Sequence, residues 1–193
     1  MSQRYKFGDP EGVYFTTSTI VQWIDLFTRY DYCYLLIDSL KYCVKEKGLM
    51  VHAFCIMPSH LHMIISRSQD EKFVRLSKRP TLSDIMRDFK KFTSKQITKT
   101  IPLIPESRRD WLFNAFEKAG RYQNRIDKYK VWQDGNHPIL LNDAKKLKQR
   151  IRYLHNNPVA SRIVNEAEHY VFSSASNYVD KGGVMEVDVI DIW

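Results

Sequence analysis

Met57-Pro58-Ser59-His60-Leu61-His62-Met63-Ile64-Ile65 is a turn leading into an apolar run with two histidines at its head. Side chains two apart on a strand share a face, so His60 and His62 stand side by side. Two adjacent imidazoles suit one divalent metal ion. A His-x-His pair is also ordinary filler in a half-buried strand, and the pair alone does not decide between the two. Upstream, Leu49 to Met57 reads as a strand, and Met57-Pro58-Ser59 is short enough to turn it back into a second one, His60 to Ser66.

Working outward from this hairpin, Val13 to Ile20 is rich in aromatic and β-branched residues and reads as a first strand. It follows the turn signal Asp9-Pro10-Glu11-Gly12. Cys33, Leu36, Ile37, Leu40, Cys43 and Val44 recur at helical spacing, so a helix is expected over 31–47, stopped near Gly48. After a charged, loop-like stretch over 67–80, a second helix spans about 82–99. Leu82, Ile85, Met86, Phe89 and Phe92 are its inward face. Ile101-Pro102-Leu103-Ile104-Pro105 breaks it. A third helical segment, about 108–119, carries Trp111, Leu112, Ala115 and Phe116. Tyr129 to Trp132 and Pro138 to Leu141 form the last strand region. Asn142 or Asp143 then caps a final helix that ends near 156, because the residue before Pro158 is pushed out of the α region. Val184 to Ile192 alternates partly like an edge strand. The order β-α-β-β-α-β within this series predicts an α+β fold: a ferredoxin-like antiparallel sheet with helices on one face.

The 193 residues carry 30 Lys and Arg against 22 Asp and Glu. From Val164 onward six acids face one base, Lys181, so the first 163 residues hold 29 bases and 16 acids. This divides the chain into a basic body, 1–163, and an acidic C-terminal extension, 164–193, packed on it or trailing from it. A body so basic points to a polyanionic partner, nucleic acid first; a generally basic soluble protein is the plainer alternative. Cys33, Cys43 and Cys55 form no CxxC and indicate neither a disulfide framework nor a thiolate zinc site. The polar N-terminus is no signal peptide, and no apolar run approaches the ~20 residues of a membrane span. The expectation is a cytoplasmic protein with no membrane partner.

On the final helix, at ~100° per residue, Ala144, Leu147, Ile151 and Leu154 make one stripe. Tyr153 lies roughly 140° from the middle of that stripe and Asn157 roughly 100°. Both point off the core face, one turn apart, amid Lys145, Lys146, Lys148, Arg150 and Arg152. Tyr153 is then either a surface tyrosine or a nucleophile that needs activation. Asn157 offers an amide oxygen as a third, hard ligand beside His60 and His62. Such a set suits Mg²⁺ or Mn²⁺, whereas zinc calls for a further His or Cys. Arg87, Lys90, Lys91 and Lys95 on the 82–99 helix, with Lys146 and Arg150 on the last, are candidate contacts to a phosphate backbone.

Met57-Pro58-Ser59-His60-Leu61-His62, joined far downstream to Tyr153-Leu154-His155-Asn156-Asn157-Pro158-Val159, resembles the REP-associated tyrosine transposases and their insertion-sequence relatives. These are the single-tyrosine members of the HUH nuclease superfamily. The resemblance runs from the first strand to about Tyr178 and includes Val131-Trp132-Gln133 and Phe172-Ser173-Ser174. It implies the HUH nuclease fold, with His60 and His62 as metal ligands, Tyr153 as nucleophile and Asn157 completing the site. It further implies cleavage and joining of single-stranded DNA through a 5′-phosphotyrosine, beside a hairpin, in DNA transposition. Relatives work as monomers or as homodimers. Residues 67–130 are longer than in compact members, and the resemblance does not extend to the stretch after Tyr178. The rival readings are a non-catalytic DNA- or RNA-binding protein of the same fold, and a zinc hydrolase using His137, which no HExxH-like element supports. His155 lies nearer its helix's core stripe and reads as structural; His52 and His169 carry no signal.

Overall fold

Two long strands, apolar on both faces for most of their length, set the sheet. The computed structural model describes residues 7–75, 79–121 and 128–191. Strand β1 spans Tyr14–Thr19, β2 Leu49–Met57, β3 His60–Arg67 and β4 Ile139–Leu140. Their order is β2-β3-β1-β4, with every pair antiparallel. This is the ferredoxin-like arrangement expected of the β-α-β-β-α-β order: β3 lies between β1 and β2, which helix α1 (Tyr30–Lys47) connects. The turn after α1 uses Gly48 at φ 69°, a conformation that costs glycine little. A side chain there would also meet the Phe73 ring.

Helices α1 and α3 (Leu82–Thr100) cover one face of the sheet, burying Leu36, Ile37, Ile85 and Met86 against Leu61, Met63 and Ile65. Helices do not keep to that face alone. Helix α5 (Ala144–Ala160) packs Ile151 and Leu154 against Phe15, Ala53, Cys55 and Ile64 on the other. Each such side chain, fully buried, contributes about 1.5–3 kcal/mol. The one-face expectation fails because α5 carries its own apolar stripe and the second face of β2 and β3 is also apolar. His60 and His62 alternate with Leu61 and Met63, so they belong to the α5 side.

Several boundaries differ from expectation. The charged stretch after β3 contains a short helix, α2 (Glu71–Val74), which Asp70 caps through the amide of Lys72. On α3, Phe92 is 53% exposed. Its neighbour Thr93 turns inward instead, because its hydroxyl accepts from the indole N–H of buried Trp132. Helix α4 (Arg109–Gly120) buries Leu112, Ala115 and Phe116 but leaves Trp111 exposed. Of the last strand region, only Ile139–Leu140 joins the sheet, while Trp132 makes a single bridge to Ile20.

Helix α5 runs through Pro158 to Ala160. Pro158 sits in the last turn, and its ring is buried. The end is instead set by Arg162 at φ 57°, with Arg162 N–H donating to Val159 O and Ile163 N–H to Pro158 O.

The acidic segment folds back on the sheet. Ile56 N–H donates to Phe172 O and Ser174 N–H to Phe54 O, both at 2.9 Å, with Phe172 and Met185 buried. Residues 184–191 form no strand; Asp188 N–H alone bonds Val51 O. Ile192, the last residue of that expected strand, lies outside the described residues. Between β1 and α1, Gln22 and Trp23 both adopt φ 56°. For non-glycine residues this left-handed conformation costs roughly 1–2 kcal/mol each. No helix among the described residues is long and apolar enough to cross a membrane.

Candidate active site

The Pro58-Ser59 turn delivers His60 at the first position of β3, and the pleat brings His62 to the same face. Their ring centroids are 4.6 Å apart and their planes 74° to each other. Each ring is held at Nδ1 by a hydroxyl. Ser59 Oγ lies 3.0 Å from His60 Nδ1, and Thr17 Oγ1 lies 2.9 Å from His62 Nδ1. Thr17 is there because β1 pairs it directly with His62. Burial lowers the pKa of His60. Burial, then the neighbouring His60 and Arg150, pushes that of His62 down to about 3. Both imidazoles are therefore neutral at neutral pH. In the tautomer whose Nδ1–H donates to the hydroxyl, Nε2 presents a lone pair.

Asp143 caps α5 by accepting from Lys146 N–H at 2.7 Å. The buried Ile151 and Leu154 then fix the helix's rotation. Tyr153, off that stripe, is turned to the flank facing β3. Its ring is 47% exposed and lies 5.8 Å from His62 and 6.1 Å from Phe15. The Arg150 guanidinium stands 5.7 Å from the Tyr153 ring centre and 5.1 Å from that of Phe15. The structure thus brings His60, His62, Tyr153 and Arg150 together within one chain. Lys146, Arg150, Tyr153 and Asn157 follow the spacing of one helix ridge. Asn157 uses its amide N–H₂ within the helix, donating to Tyr153 O at 3.1 Å, which leaves its Oδ1 for another partner. Beyond Tyr153 opens a cleft of about 510 Å³ shared with Arg152, Asn156 and Tyr178.

The cations on α3 are placed elsewhere. This helix covers the opposite face of the sheet from the histidines. Arg87 is engaged by Asp84 at 2.6 Å and Asp88 at 3.2 Å. Lys90 turns inward and donates to Gln133 O and Gly135 O, and burial lowers its pKa to about 8. Lys91 and Lys95 border a groove of about 1140 Å³ between α1 and α3, with Tyr30, Tyr34 and Phe92. Lys146 pairs with Asp143 at 3.1 Å.

The remaining histidines stand apart from the pair. His155 is buried on the far side of α5 with Nε2 2.8 Å from Ser174 Oγ. His52 lies between Ser66 Oγ and Asp188 O, and His169 beside Glu166. His137 is exposed. Sequence reasoning missed Thr17 and Ser59. Neither carries a spacing signal, and Thr17 is found only once the β1–β3 register is known.

Two neutral imidazoles side by side could serve as two ligands of a metal ion. Among the described residues no group of three or more His, Cys, Asp or Glu converges to hold an ion. Further ligands would have to come from oxygens, such as Asn157 Oδ1, water or a substrate, and oxygens beside two imidazoles suit a hard divalent cation.

Neither a protein-family model nor a curated protein matches the sequence. Among solved structures, the chain is similar to a REP-associated tyrosine transposase bound to a REP hairpin. The TM-score is 0.59 and the identity 18%, over 100% of this chain and 94% of that one. The chain therefore shares, along its whole length, the fold of a REP-associated tyrosine transposase.

Proposed function

We propose that this protein is a metal-dependent single-strand DNA endonuclease and strand transferase of the transposase type, acting through a 5′-phosphotyrosine on Tyr153. The observation that carries the reading is the 5.8 Å approach of the Tyr153 ring to His62, on a fold shared with a tyrosine transposase. His60 and His62, with Asn157, are the residues that would hold Mg²⁺ or Mn²⁺. When bound, such an ion supplies positive charge to a non-bridging oxygen of the scissile phosphate.

The chain's own residues do the rest. Tyr153 Oη attacks phosphorus and loses its proton. The bond from phosphorus to the 3′-oxygen breaks, and that oxygen takes up a proton to leave as a 3′-hydroxyl. The phosphate stays on the 5′ side, now esterified to Tyr153. Attack by another 3′-hydroxyl reverses the step and rejoins strands, because one phosphodiester bond is exchanged for another. Arg150 stands beside the phenol ring, where it neutralises phosphate charge as the strand enters, and Lys146 extends that track one turn along α5. Lys91, Lys95 and Arg87, on the other face, serve only a longer substrate, such as a hairpin arm that passes the sheet edge. Lys90, bound to two carbonyls, takes no part in this grip.

Covalent trapping tests the reading. The chain is incubated with labelled single-stranded oligonucleotides and Mn²⁺, and adducts are resolved on denaturing gels. The wild type should form an adduct, Tyr153→Phe none, and His60→Ala on the order of a hundredfold less. An adduct on Tyr153→Phe would remove the nucleophile assignment. Tight binding without any adduct from the wild type would favour a non-catalytic nucleic-acid-binding protein.

A further inference from the structure

Trp23 is the most exposed tryptophan among the described residues, at 62%, and its indole lies 5.7 Å from the His60 ring at 74°. Its position is forced. Val21 and Ile24 on either side are buried in the core, so the two residues between them are thrust outward. Both of those, Gln22 and Trp23, hold left-handed φ values of 56°. The turn is firmly tied down. Ile20 N–H donates to Ser59 O, Phe27 N–H to Pro58 O, and Val21 N–H to Val131 O, at 2.8–2.9 Å. The same Pro58-Ser59 turn carries His60, so indole and imidazole are fixed to one frame.

An exposed indole on strained backbone is doubly unfavourable for the folded chain alone, and strain of this kind gathers at ligand sites. The ligand that suits it is flat, apolar on its faces and adjacent to the group held by His60. An unpaired nucleobase meets all three conditions, since stacking on an aromatic ring tolerates any base. We propose that Trp23 is the stacking platform for the base next to the scissile phosphate, on the His60 side of the site. This rests on the DNA-cleaving reading above. It adds that the substrate must be unpaired at one particular nucleotide, because a base within a duplex has no free face to offer.

The test uses full-length protein in a Tyr153→Phe background, with fluorescent single-stranded oligonucleotides that the wild type cleaves. Affinity is read by anisotropy. Trp23→Gly should weaken binding roughly five- to a hundredfold, and Trp23→Tyr much less. An abasic nucleotide at one position beside the cleavage site should abolish the difference in affinity that Trp23→Gly makes, and elsewhere should leave it intact. Glycine accepts the left-handed conformation freely, so Trp23→Gly should also raise the thermal midpoint while affinity falls. A fall in both would assign Trp23 to the fold and overturn the proposal. So would unchanged affinity, or a loss that no single abasic position cancels, with the cleavage reading left standing. A wild type that neither binds nor cleaves single strands would overturn both.

Discussion

Thr17 and Ser59 each place a hydroxyl against Nδ1 of a histidine and so orient the ring that carries Nε2. Replacing Thr17 by Val keeps the shape but removes that bond. The ring of His62 is then free to rotate or change tautomer. Thr17→Val should lower Mn²⁺ affinity about ten- to a hundredfold, measured by calorimetry, with little change in fold. His155 gives a second prediction at this scale. Burial lowers its pKa to about 4. The unfolded chain takes up that proton near pH 6.5, well before the folded one does. Stability from this group is therefore full above about pH 6.5 and falls as pH drops towards about 4, by about 3 kcal/mol in all. Urea unfolding across this range should show the loss, and His155→Gln should remove this share of the slope. Spacing put two imidazoles on one face and Tyr153 off the core stripe, but joining them into one site took the resemblance to the tyrosine transposases. Thr17 was not legible in the sequence, since a cross-strand partner depends on register. Trp23 was not, since nothing local marks a left-handed tryptophan.

At the scale of elements, β2 and β3 stand where their mostly apolar runs place them, and α1 ends at its glycine. Expectation failed where a local rule met tertiary packing. Pro158 does not end α5: it denies the Leu154 carbonyl its helical donor and crowds it, but this falls in the last turn, and the proline ring finds a buried seat. Phe92 yields its inward place to Thr93, because a buried indole N–H needs an acceptor. The true end of α5 is a left-handed Arg162, where glycine is the usual occupant. Arg162→Gly relieves that conformation and should stabilise the protein by roughly 0.5–1 kcal/mol, read from denaturant midpoints.

At the scale of the whole molecule, α5 is held from both sides. Its apolar stripe rests on the sheet, and His155 on its far flank reaches Ser174 Oγ. Ser174 is itself bonded to the backbone of Phe54 in β2. The acidic segment therefore straps the tyrosine helix to the strand hairpin, and it also covers the outer edge of β2, where Cys55 bridges to Ser173. The general fold was readable because it follows from the order of strands and helices. This strap was not, since its short irregular pieces carry no periodicity.

In the reading proposed above, both halves of the reaction belong to one polypeptide, since Tyr153 stands across from its own His62. The rate law inherits that arrangement. Formation of the covalent adduct should be first order in protein and keep the same specific rate on dilution through the nanomolar range. A tyrosine serving a neighbour's histidines would make the specific rate fall with dilution as pairs come apart. A dilution series with trace labelled oligonucleotide measures this directly.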